Sequence, residues 1–117
     1  MADCRSPFAS TVLPEPKGPQ AISATYDIGF GIVQVLFDKP LSPLVQVPSG
    51  WHMTYAGANL VPTGNLQANG SQIDCAFVAN GPAVDPVGIY YDGTMPNLEG
   101  VDGRPVEPID GLAYVTV

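Results

Sequence analysis

A chain of 117 residues has room for one domain and buries roughly two thirds of the surface its unfolded form exposes, enough for a core without metal or disulfide staples. Charged residues make up only 13%, while Gly and Pro contribute 13 residues each, a balance that favours short strands and tight turns over long helices. Eleven acids against four scattered cations, Arg5, Lys17, Lys39 and Arg104, give a net charge of -7, which argues against nucleic-acid and anionic-membrane binding because no basic cluster exists to neutralise phosphates.

Residues 1–20 differ from the rest. Pro7, Pro14, Pro16 and Pro19 forbid a helix or central strand and favour an extended, partly polyproline-like arm. Its apolar anchors for a partner are Phe8, Val12 and Leu13. Met1 to Leu13 lacks the apolar run of a signal peptide, and Asp3 stands where a positive region would be needed. No stretch approaches the roughly 20 apolar residues of a membrane span. The chain is therefore expected to be made in the cytoplasm and not exported.

Residues 21–117 carry the period of two that marks strands. Ala21 to Asp27 alternates Ile22, Ala24 and Tyr26 against Ser23 and Thr25, and Asp27-Ile28-Gly29-Phe30-Gly31 supplies a reversal. Ile32 to Asp38 follows as a central strand, with Val33, Val35 and Phe37 as its inward set. Pro40 and Pro43 lack amide donors, so the ladder is expected to break over Asp38–Pro43 and a loop to lead toward Trp51.

Trp51, Met53 and Tyr55 alternate with His52 and Thr54, making Trp51 the largest expected core residue. Leu60–Ala68 and Ser71–Val78 flank Asn69-Gly70, the strongest short signal for a two-residue type I′ hairpin. Val87, Ile89 and Tyr91 mark another strand, and Ala113, Val115 and Val117 a last one. Asn-Gly and Asp-Gly pairs beginning at Asn69, Asn80, Asp92, Asp102 and Asp110 stand about 8 to 12 residues apart, the turn spacing of β-sandwiches and barrels.

Chemistry is sparse. His52 is the one histidine, and no Gly-x-Ser-x-Gly elbow accompanies it, so nucleophilic catalysis has no parts. Cys4 and Cys75 are too far apart for a zinc knuckle. Cys75 shares its phase with Ile73 and Phe77 and is expected to be a small buried hydrophobe, and a reducing cytoplasm disfavours its bridging to Cys4. Asp92, Glu99, Asp102, Glu107 and Asp110 offer oxygens for calcium, yet three of the five are the Asp of an Asp-Gly pair, where turn geometry already explains them. No enzyme, cofactor or metal site is expected.

Ile22-Ser23-Ala24-Thr25-Tyr26-Asp27, the glycine reversal and Ile32-Val33-Gln34-Val35-Leu36-Phe37-Asp38-Lys39-Pro40-Leu41 resemble the first two strands of bacterial and phage Ig-like modules. Tyr90-Tyr91-Asp92-Gly93 through Leu98, then Val101-Asp102-Gly103-Arg104-Pro105-Val106, look like their closing half. The resemblance covers residues 21–117 and implies an all-β fold, an Ig-like β-sandwich of about seven antiparallel strands behind the arm of residues 1–20. Such modules occur in phage virions and repetitive bacterial surface proteins. The implied function is a non-enzymatic structural protein of a phage virion, a capsid decoration protein present in many copies on a lattice. Its arm would bind the major capsid protein, another virion protein or a sister subunit. The alternative is an adhesion or carbohydrate-binding module of a bacterial surface protein.

Overall fold

The computed structural model describes residues 17–55, 58–79 and 88–117, and among these the chain is all-β with no helix. Eight strands follow one another: β1 Ala21–Asp27, β2 Ile32–Gln46, β3 Trp51–Tyr55, β4 Ala58–Pro62, β5 Leu66–Ala79, β6 Gly88–Tyr91, β7 Ile109–Leu112 and β8 Val115–Thr116. They form one curled sheet in the order β7-β6-β3-β4-β5-β2-β1-β8. About seven antiparallel strands had been expected; the described residues form eight, and β8 runs parallel to β1 through Thr25↔Val115 and Tyr26↔Thr116, so the sheet is mixed.

Its curl follows from connectivity. β7 and β8 are the two ends of the sheet order, yet only Ala113 and Tyr114 separate them in sequence. Three residue steps span at most about 11 Å, so the two edges must meet at one corner. Tyr114 closes that corner, its hydroxyl donating to the Thr54 carbonyl on β3 at 2.6 Å. Its ring meets Tyr26 edge-on at 6.0 Å, and Tyr26 meets Tyr55 in the same way at 5.3 Å.

The enclosed face is the core. Val33, Val35 and Phe37 of β2 are buried with Trp51 and Met53 of β3 and Ile73, Cys75 and Phe77 of β5, as period-two strands with one buried face require. Cys75 is a buried hydrophobe.

Four expectations need correction. Asn69-Gly70 makes no hairpin: both lie inside β5, and the turn before it falls at Thr63–Asn65, between β4 and β5. Gly70 takes φ 64° while Asn69 does not enter the left-handed region, whereas a type I′ turn needs both residues there. Gly70 instead pairs with Leu41, between two register shifts whose extra residues lie on β2, a break in the ladder of the kind that an isolated strand glycine marks. Asp110-Gly111 is likewise part of β7, with Gly111 at φ 82° as the extra residue between the Ile89↔Leu112 and Tyr90↔Asp110 rungs.

Asp38–Pro43 does not end β2, which runs on to Gln46. The ladder to β5 is interrupted between Leu36 and Leu41, and the strand exchanges partners there. Ser42 donates to Glu99 O and Pro40 O accepts from Val101 N, groups that two prolines leave usable. The segment after β6 thus covers the irregular half of β2 and adds Met95, Leu98 and Val106 to the core. Finally, Ile22 is 57% exposed: two residues of β1 oppose one of β2 between Ala21 and Ser23, and that bulge moves Ile22 out of phase with Ala24 and Tyr26.

Candidate functional site

The last residues of the N-terminal segment are built into the domain. Gly18 and Pro19 are buried. Gly18 N donates to Glu107 Oε2 at 3.1 Å, and Glu107 N donates back to Pro19 O at 2.9 Å. Gln20 and Asp38 are joined twice, Gln20 N to Asp38 Oδ1 at 2.8 Å and Asp38 N to Gln20 O at 3.0 Å, while Lys39 Nζ donates to Lys17 O. A Cβ on Gly18 would stand 1.7 Å from the Pro105 carbonyl oxygen, so only glycine lets the chain pass here. The candidate anchors Phe8, Val12 and Leu13 lie outside the described residues. Their base is in view: the segment meets the domain at Lys17, on the rim of a depression of about 390 Å³ bounded by Gln20 and Ala21 on one side and Glu107–Leu112 on the other.

Several of the described acids have local structural partners. Asp27 accepts from Phe30 N, closing the β1–β2 reversal. Asp92 accepts from both Thr94 N and Thr94 Oγ1, and these bonds hold its carboxyl below the usual range. Asp102 accepts from Arg104 N and pairs with its guanidinium at 3.0 Å, with the same effect. Among the described residues no three His, Cys, Asp or Glu side chains gather as a metal site. Burial pushes the Cys75 thiol up to about 12, so it stays protonated and poorly nucleophilic at neutral pH.

A second depression, of about 470 Å³, lies where β3 begins and β6 ends and shares Pro108, Ile109 and Asp110 with the first. Register places Trp51 opposite Tyr91 and His52 opposite Tyr90. Both pairs stack, the buried Trp51–Tyr91 pair at 4.5 Å and 18° and the half-buried His52–Tyr90 pair at 4.5 Å and 3°. Tyr90 also faces Asp110 on β7. Gly50, Asp92, Pro108 and Asp110 complete the rim. Sequence reading placed His52 outward but did not find Tyr90 or Asp110 beside it, because only the β3–β6–β7 register joins them; the alternation of Tyr90 with Tyr91 was the one local signal.

No family model, curated protein or solved structure matches the chain. The functional reading therefore rests on residues and geometry.

Proposed function

We propose that the chain is a non-enzymatic structural protein of a phage virion, an Ig-like β-sandwich that decorates the capsid and is fastened by its N-terminal arm. One observation carries the reading: the arm's base is locked to the domain by reciprocal bonds between Gly18–Pro19 and Glu107 and between Gln20 and Asp38. A passive tail needs no such base. A tether does, because force or positional information passes only through a rigid junction. Phe8 lies nine residues before Lys17, within roughly 30 Å of it when extended, a reach suited to a neighbouring subunit. The major capsid protein, another virion protein or a sister copy is the partner, and repetition on a lattice multiplies weak individual contacts.

The test is co-sedimentation with phage capsids. Full-length protein is expected to pellet with them and a chain lacking residues 1–16 to stay in the supernatant, with the fold of both unchanged by circular dichroism. Equal pelleting of the two chains would reject arm-mediated attachment, and failure of both to pellet would reject the capsid as partner.

A further inference from the structure

We propose that the exposed apolar patch of Ile28, Phe30, Val115 and Val117 is the receptor for the N-terminal arm of a second copy, so that copies link head to tail. The inference rests on the reading of the arm as an attachment device and names a partner and a docking surface for it.

Strand pairing assembles the receptor. β8 ends the sheet order and, among the described residues, is paired on one side only, with β1. Val117 N donates to Tyr26 O, and Val117 O accepts from Ile28 N, which holds Val117 against the β1–β2 reversal. Asp27 closes that reversal, its carbonyl accepting from Gly31 N and its carboxylate from Phe30 N. Val115 and Val117, two residues apart on an extended chain, share one side of it. Phe30 is 79% exposed and Val117 69%, while Ile28 and Val115 are at least half exposed. Apolar side chains gathered at an unpaired strand edge are what a protein that stays monomeric avoids.

Position, charge and sequence select the occupant. β1 runs from the arm's base at Gln20 to Asp27, about 23 Å, so arm and receptor stand at opposite ends of that strand. Pro14, Pro16 and Pro19 favour extended backbone, which directs the arm away from its own receptor and toward another copy. Residues 1–17 hold two acids, Asp3 and Glu15, and two cations, Arg5 and Lys17, so the whole net charge of -7 belongs to the rest of the chain. Two such bodies repel when they meet face to face, whereas a neutral arm can bridge them. Phe8-Ala9-Ser10-Thr11-Val12-Leu13 is free of proline between Pro7 and Pro14. It therefore keeps every amide donor that strand addition to β8 uses, and Phe8, Val12 and Leu13 supply apolar surface for the patch. Because donor and receptor are different surfaces, the contact is heterologous and repeats from copy to copy.

Sedimentation velocity of purified full-length protein, at concentrations up to about 100 μM and without capsids, reads this association separately from capsid attachment. The parent is expected to sediment faster as its concentration rises. Phe30→Ser combined with Val117→Ser, and separately Phe8→Ser combined with Leu13→Ser, should each stay monomeric. An equimolar mixture of the two double variants should form a heterodimer and nothing larger, because one keeps the arm and the other keeps the receptor. Phe30 and Val117 are exposed, so their replacement leaves the fold intact, as circular dichroism checks. A parent that stays monomeric, an oligomer that survives either double variant, or a mixture that stays monomeric would overturn the proposal. Self-association of a parent that fails to pellet with capsids supports it and rejects only the capsid as partner.

Discussion

Gly18→Ala tests whether the base of the arm belongs to the folded unit. The new Cβ would sit 1.7 Å from Pro105 O and 2.7 Å from Pro105 C, both backbone atoms that no rotamer change can move. The chain must therefore lift away, and the cost is limited by what lifting breaks. The bond from Gly18 N to the Glu107 carboxylate is worth about 1.5 kcal/mol and the neutral one from Glu107 N to Pro19 O about 1 kcal/mol. Lost burial of Pro19 brings the total to about 3 kcal/mol. At about 4 °C per kcal/mol for a domain of this size, Tm falls by about 12 °C. Thermal and urea unfolding followed by Trp51 emission measure this, with Gly64→Ala, which meets nothing within 4 Å, as a control expected to stay within about 0.5 kcal/mol of the parent. A chain lacking residues 1–16 should keep parental stability, while one lacking residues 1–20 should lose about as much as Gly18→Ala. A Gly18→Ala loss below about 0.5 kcal/mol would refute the reasoning, since the segment would then move aside without cost.

Two further outcomes follow from single residues. Gly70→Ala meets no atom within 4 Å, so its cost is the left-handed backbone alone, about 1–2 kcal/mol by urea unfolding. Asn69→Ala should cost less than Gly70→Ala, since Asn69 has no left-handed conformation to support. Cys75 has a folded pKa raised by burial to about 12, above its value of 9.0 in the open chain. Its contribution is fully present below pH 9 and is lost as pH rises from 9 toward 12, at up to about 1.4 kcal/mol per pH unit. Cys75→Ala should flatten the alkaline limb of the stability curve without removing it, because burial also raises Tyr91 and Tyr114.

What the sequence disclosed and what it hid divide along the range of the interactions. Val33, Val35 and Phe37, the Trp51 and Met53 pair and Cys75 between Ile73 and Phe77 were legible because a strand with one buried face writes that face into every second residue. Gly70 and Gly111 were misread as turns because a glycine at an irregularity of the ladder and a turn glycine share the same positive φ. The difference lies in the strand that arrives opposite, β2 for Gly70 and β6 for Gly111, tens of residues away. The two prolines of β2 were read correctly as breaking the ladder to β5, but the partner that replaces it, Glu99–Val101, is also remote. For the second depression, the sequence offered His52 and its outward phase, while its neighbours Tyr90 and Asp110 came only from register.

The arm's role in attachment is tested most directly by Phe8→Ser combined with Leu13→Ser, with capsid binding and thermal stability measured on the same preparation. Capsid binding should fall severalfold while Tm stays within about 2 °C of the parent, a change of less than about 0.5 kcal/mol. Undiminished binding, or a drop in Tm matching that of Gly18→Ala, would contradict it, the first by removing the anchors from attachment and the second by making them part of the domain's own core.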